Sequence, residues 1–155
     1  MIDPRMDISF IKRMIVNSGS KVFVTLDIAW PKVEQIKSLI NQELIITQSA
    51  ATSLPFIKKI AMKIATKTKI PYGNDTITWK EFIKRGEGVV AVDAPYEGDA
   101  SIAITYTGGT TGFPKGVMLT HYNIVNNGKI IGDRMDMSTA DRMMIQVPMF
   151  HCFGM

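Results

Sequence analysis

Ten consecutive residues carry most of the chemistry this sequence can do. Thr107-Gly108-Gly109-Thr110-Thr111-Gly112-Phe113-Pro114-Lys115-Gly116 holds four glycines, three threonines and one lysine. Glycine lets a backbone approach an anion closely and adopt conformations denied to other residues. Successive backbone N–H groups can then form an anion-binding nest. Thr107, Thr110 and Thr111 add hydroxyl donors, and Lys115 adds a mobile positive charge suited to polyphosphate. Together these are the parts of a phosphate clamp. A plain glycine/threonine hairpin is the simpler alternative, but it needs neither the lysine nor three threonines.

Two common phosphate loops are excluded by spacing. The G-x-x-x-x-G-K-[ST] loop places lysine directly after glycine and a helix directly after that. Here Pro114 precedes Lys115 and Gly116 follows it, and the next helix is expected only from about Thr120. The G-x-G-x-x-G spacing is not met either. Other reactive side chains offer less. His151 and Cys152 are adjacent, whereas a Cys–His dyad normally joins residues distant in sequence. Cys152 therefore reads as a small buried hydrophobe, and His121 as a residue at a helix start.

The elements that must position the loop follow from periodicity. Ile8, Ile11, Met14 and Ile15 predict a helix that stops at Gly19. Residues 21–27 read as a strand. Val33, Ile36 and Ile40 predict a second helix beginning near Pro31, and residues 43–47 a second strand. That order implies a βαβ unit and a parallel sheet. Ile57, Ile60, Ala61 and Ile64 then line one helical face, and Lys59, Lys63 and Lys67 another. Thr78-Trp79-Lys80-Glu81 has the capping-box pattern and opens a helix that ends by Gly86. Residues 86–100 read as loop. Residues 101–106 are apolar on both faces, as in a strand buried in a parallel sheet. Residues 117–119 fit a short strand, and Thr120 an N-cap. Ile124, Val125, Ile131 and Met135 would form the inner stripe of the helix that follows, and residues 142–147 a last strand.

Composition narrows the class. At 155 residues with 46% hydrophobic and 21% charged, the chain is neither a disordered tail nor a repeat. No apolar run reaches the ~18–20 residues of a membrane-crossing helix. A single cysteine and no zinc spacing fit a reduced, cytoplasmic setting. Charge is uneven: residues 1–85 carry fourteen Lys/Arg against seven Asp/Glu, and residues 86–155 carry four against seven. With no zinc spacing and no RNP-type aromatic motif, no nucleic-acid partner is expected. The helix bearing Lys59, Lys63 and Lys67 is basic and amphipathic, a pattern that can lie on anionic lipid. Peripheral contact with the inner face of a membrane is therefore one expectation, and a non-enzymatic membrane-surface module one alternative.

The stretch from Tyr106 to Gly116 resembles the signature loop of the AMP-forming, adenylate-forming synthetases. Val117-Met118-Leu119-Thr120-His121-Tyr122-Asn123 is similar to that family's usual continuation. Pro148-Met149-Phe150-His151-Cys152-Phe153-Gly154 resembles its next motif, a proline and an apolar pair followed by His-x-Phe-Gly. The Gly108-Gly109 pair resembles bacterial long-chain fatty-acid–CoA ligases. So do Asn17-Ser18-Gly19-Ser20-Lys21-Val22-Phe23 and the stretch from Leu54-Pro55-Phe56 to Ile77-Thr78-Trp79.

The resemblance implies an α/β fold, a partly parallel sheet flanked by helices, as an incomplete piece of the large N-terminal domain of such a synthetase. Residues 1–100 would be its upstream α/β part. Residues 101–155 would be the phosphate loop and the start of the acyl and nucleotide site. It implies ATP-dependent activation of a fatty acid to an acyl adenylate and transfer to coenzyme A, with medium-chain or aryl acids as alternatives. Thr107, Gly108, Gly109, Thr110, Thr111, Gly112 and Lys115 would hold the ATP phosphates. Lys115 and His151 would be the catalytic pair, and Phe150, His151 and Phe153 would line the substrate pocket. The Mg2+ ligand glutamate, the ribose aspartate and the C-terminal domain with its adenylation lysine are expected outside this chain. A fragment with little turnover of its own is the resulting expectation.

Overall fold

The computed structural model describes residues 2–65, 68–107, 112–144 and 146, without the side chains of residues 63–65. The chain divides into two compact units, Met6–Ala91 and Val92–Met155 with Met1–Arg5. No helix among the described residues is long and apolar enough to cross a membrane.

In the first unit, α1 (Ile8–Ser18) starts at Asp7, whose carboxylate accepts the Ser9 N–H, and stops where Gly19 turns left-handed at φ 61°. Ile11, Met14 and Ile15 form its buried face. Three strands follow: β1 (Val22–Leu26), β2 (Leu44–Gln48) and β3 (Thr76–Thr78). They pair in the order β1-β2-β3, all parallel, with Val24 beside Ile46 and Ile46 beside Ile77. The expected βαβ unit is therefore present. Its crossover helix α2 (Trp30–Ile36) carries Pro31 in the first turn. Trp30, Val33 and Ile45 form a buried cluster with Phe23 and Ile70 packed against it. Each such side chain contributes ~1.5–3 kcal/mol on burial.

Two local features depart from expectation. The second helix ends at Ile36. Lys37–Leu39 tighten into a single 3-10 turn, and Ile40 is extended, though still buried. The chain must turn there to lay β2 beside β1. Gln42 Nε2 donates to Ser20 O at 2.7 Å, and Glu43 N to Lys21 O at 2.8 Å. The strand β3, which periodicity did not indicate, is held by Ile45 N donating to Asp75 O at 2.7 Å. The buried Thr76 hydroxyl accepts from Lys37 Nζ at 3.0 Å and donates to Asp75 Oδ1 at 3.1 Å. Lys37 also pairs with Asp75 at 3.0 Å. Lys37 and the Thr76 hydroxyl together hold the Asp75 carboxyl below its ordinary value.

Helix α4 (Trp79–Arg85) lies against β2 and β3. The Thr78 hydroxyl caps it, accepting Glu81 N at 3.1 Å, while the Glu81 carboxylate takes Arg85 Nε at 3.2 Å. Leu44, Phe82 and Ile83 line an open apolar groove beside it. The crossover helix between β2 and β3, α3 (Phe56–Ala65), has Phe56, Ile57, Ile60 and Ala61 exposed; Lys59 and Met62 are half-buried.

The second unit is built on a two-stranded antiparallel sheet of β4 (Ser101–Tyr106) and β5 (Gly116–Thr120), followed by α5 (His121–Arg134). This corrects the parallel-sheet expectation for residues 101–106. A parallel return needs a crossover of a dozen or more residues. Here only residues 107–115 lie between the strands, so the chain comes back as a hairpin. The strand is also half-exposed rather than buried. The stripe Ile124, Val125, Ile131 and Met135 is exposed, not internal, and Met135 is the residue after the helix. No strand forms at 142–144 or at 146; residues 145 and 147 lie outside the described residues. Instead Asp141 Oδ2 accepts Ser138 N at 2.6 Å, which turns the chain, and Arg142 Nη1 donates to Asp141 O at 3.0 Å.

Candidate functional site

The hairpin presents the glycine-rich loop at the end where β4 runs into β5. Tyr106 and Gly116 are the last paired residues of the ladder. Beyond them two more bonds close the loop at its base. Thr107 N donates to Lys115 O at 3.0 Å, and Lys115 N donates to the Thr107 hydroxyl at 3.1 Å. Both neighbours of the seven residues 108–114 are thereby fixed. Of the loop, Gly108, Gly109, Thr110 and Thr111 lie outside the described residues.

The ends of the loop show how Lys115 is positioned. Pro114 is buried and Phe113 half-buried, whereas Thr107, Gly112 and Lys115 are exposed. Proline fixes its own φ and restricts the residue before it, so the Phe113-Pro114 pair enters β5 in one direction. Lys115 then has its main chain bonded on both sides and its side chain exposed. The Thr107 hydroxyl spends one lone pair on Lys115 N and still has a proton to donate. A charge on an anchored Cα beside a hydroxyl donor suits the oxygens of a polyphosphate.

Gly116 has a role that composition did not show. A Cβ there would meet Ile104 Cγ2 at 3.0 Å and Tyr106 Cε1 at 3.3 Å. The Tyr106 ring occupies the space a side chain would need, so the glycine permits close packing rather than a turn. The signal was available only through the hairpin register, which sets Tyr106 opposite Gly116.

At its other end β5 passes directly into α5. Thr120 and Asn123 form a reciprocal capping box: Asn123 N donates to the Thr120 hydroxyl at 3.2 Å, and Thr120 N to Asn123 Oδ1 at 3.0 Å. His121 N donates to Ala100 O at 3.1 Å, and Tyr122 N to Gly98 O at 2.9 Å. The His121 ring lies 5.2 Å from that of Tyr96. His121 is thus a packed residue at the helix start, as expected.

Phe150, His151 and Phe153 lie outside the described residues, as does Lys67. Among the described residues no group of three or more His, Cys, Asp or Glu comes together to hold a metal ion. Among the described residues the geometry therefore brings together Thr107 and Lys115 of the predicted set, at the loop base.

The profile of the AMP-binding enzyme family matches residues 1–155. The chain is 34% identical over 141 residues to a long-chain-fatty-acid–CoA ligase of Bacillus subtilis (strain 168), covering 86% of this chain and 25% of the ligase. It is 52% identical over 54 residues to the acyl-CoA ligase sidI of Beauveria bassiana, 35% of this chain and 9% of that protein. It is 51% identical over 57 residues to the mitochondrial medium-chain acyl-CoA ligase ACSF2 of Rattus norvegicus, 34% of this chain and 9% of that protein. The chain thus spans a quarter or less of the length of these relatives. With the signature loop, its closed base and a match over the full chain, this protein belongs to the AMP-binding enzyme family.

Proposed function

We propose that this chain supplies the polyphosphate-binding loop of an ATP-dependent fatty-acid–CoA ligase. The carboxylate oxygen of the acid attacks the α-phosphorus of ATP. The bond from that phosphorus to the bridging oxygen breaks, and pyrophosphate leaves with its electron pair. The coenzyme A thiol then displaces AMP from the acyl adenylate. Such phosphoryl chemistry depends on positioning and on charge stabilisation. Lys115, the Thr107 hydroxyl and the N–H groups of Gly108 to Gly112 hold the β- and γ-phosphates and meet the charge that grows on pyrophosphate. His151 stands by the acid carboxylate, and Phe150 and Phe153 wall its pocket. Magnesium, when bound with ATP, would supply charge neutralisation of the phosphates, and its carboxylate ligand would come from residues other than those described.

The observation that carries this reading is the pair of hydrogen bonds between Thr107 and Lys115, which anchors one cation-bearing residue at the base of a glycine-rich loop. Titration of the chain with ATP and with AMP tests it. ATP is expected to bind more tightly, pyrophosphate to compete, and Lys115→Ala to lower ATP affinity by about tenfold to a hundredfold, the range for a lost charged hydrogen bond. Equal affinity for AMP and ATP, or an unchanged Lys115→Ala variant, contradicts the loop assignment. Acid-dependent exchange of labelled pyrophosphate into ATP, read on a ligase that contains this chain, tests the substrate. Palmitate supports the long-chain reading. Octanoate supports the medium-chain reading that ACSF2 suggests by its name, and benzoate the aryl one.

A further inference from the structure

Resting on the reading of Lys115 as the phosphate-binding cation, we propose that Tyr106 is its positioning residue: the ring lies over Gly116 and holds the last pair of the hairpin closed. The register shows why a ring is needed at this step. Thr107 and Lys115 stand opposite each other, with Thr107 N donating to Lys115 O at 3.0 Å. In an antiparallel ladder, hydrogen-bonded pairs alternate with pairs that exchange no main-chain bond. Tyr106 and Gly116, one step in, are therefore a pair without main-chain bonds of its own. Such a pair is held by side-chain contact, and Gly116 has no side chain to offer. Tyr106 supplies the contact. Its Cε1 and Cζ lie 3.3 and 3.6 Å from where a Cβ of Gly116 would stand, and Ile104 Cγ2 lies 3.0 Å from the same point. An aromatic ring laid over a strand glycine stabilises a sheet in this way.

The effect on the cation is indirect. Successive side chains of a strand point to opposite faces, so the ring lies on one face of the hairpin, and Thr107 and Lys115 belong to the other. Tyr106 therefore acts through the main chain of Gly116 and not through a contact with phosphate. Gly116 follows Lys115 directly, and Lys115 N donates to the Thr107 hydroxyl at 3.1 Å. A Gly116 that drifts from β4 carries Lys115 N and O away from both of their partners. The ring is half-buried while Lys115 is exposed, which fits a packed support beneath a free charge.

Amide exchange and nucleotide titration of the intact chain test this. Tyr106→Leu keeps bulk without the flat ring, and Tyr106→Phe keeps the ring. In the free protein, Tyr106→Leu should speed exchange of both the Thr107 and the Lys115 amides by about twofold to fivefold, the effect of losing one cross-strand aromatic pair. ATP affinity should fall by a similar factor. AMP affinity should not change, since AMP has no β- or γ-phosphate for Lys115 to meet. Tyr106→Phe should match the parent throughout. Gly116→Ala displaces the ring from the same spot, so adding it to Tyr106→Leu should lower the preference for ATP over AMP no further than the larger single change. If Tyr106→Leu loses its circular dichroism, Tyr106→Val replaces it, since strands favour valine. Equal losses for ATP and AMP show a role in folding alone and overturn the proposal. So do unchanged exchange at Thr107 and Lys115, or a Tyr106→Phe variant as loose as Tyr106→Leu. A parent that binds ATP and AMP alike contradicts the phosphate reading instead, and the exchange measured without ligand still decides whether Tyr106 holds the loop base.

Discussion

Replacing Thr107 by valine removes one hydroxyl, an acceptor for Lys115 N and a donor toward phosphate, and almost nothing else. Valine has the same shape, so the change isolates the hydroxyl that receives Lys115 N at 3.1 Å. The companion bond, Thr107 N to Lys115 O at 3.0 Å, survives because it is made by the backbone. A net hydrogen bond of this kind contributes ~0.5–1.5 kcal/mol. Without ligand, the Lys115 amide should therefore exchange with solvent about twofold to tenfold faster, because one of two closures of the loop base is gone. If the base must re-form to hold polyphosphate, ATP affinity falls by a similar factor. Thr107→Ser, which keeps the oxygen, should stay near the parent in both measurements. Amide exchange read by NMR on the free protein separates positioning from phosphate contact, because no phosphate is present. The reasoning fails if Thr107→Val leaves the Lys115 amide as protected as before, or if Thr107→Ser loosens it equally.

Three further outcomes are expected. Gly116→Ala forces a Cβ to within 3.0 Å of Ile104 Cγ2; crowding of ~1–3 kcal/mol outweighs the ~0.5–1 kcal/mol that alanine gains over glycine in a strand, and urea unfolding should show a smaller loss in an Ile104→Ala background. Asp75 has its folded pKa lowered from 3.8 by Lys37 and the Thr76 hydroxyl, so its contribution is complete above 3.8 and lost as pH falls through the folded value. Urea midpoints of the parent should exceed those of Asp75→Asn at neutral pH and converge with them in acid, with a smaller gap in high salt. Thr120→Ala removes the cap of α5 at 3.2 Å and should cost ~0.5–2 kcal/mol of stability in thermal unfolding, with Thr120→Ser close to neutral.

Legibility in the sequence followed how local each cause is. Gly19 as a stop, Pro31 in a first turn, and Thr78 and Thr120 as caps depend on neighbours within four residues, and all stand where the sequence placed them. The β1–α2–β2 order was legible because hydrophobic spacing changes period twice over residues 22–48. Thr76-Ile77-Thr78 was not, since three residues carry no period and the strand exists through its pairing with β2. Residues 101–106 read as apolar on both faces, which does not separate parallel from antiparallel pairing; the length of the connection does. At the site, residue types identified the loop and Lys115. The closure by Thr107, the burial of Pro114 and the tyrosine over Gly116 depend on register, which no single segment contains.

The closed loop base also sets how this site can change. Lys115 takes its place from the ladder, one step beyond the Tyr106–Gly116 pair, and from the Phe113-Pro114 pair that precedes it. Substitution or lengthening between Thr107 and Phe113 should leave Lys115 in place, because loops absorb such changes at little cost. Loss of one residue from β5 would act differently: alternate residues of a strand point to opposite faces, so a one-step slip would turn the lysine to the other face of the hairpin. Variation can therefore accumulate between Thr107 and Phe113, while β4 and β5 keep a fixed length.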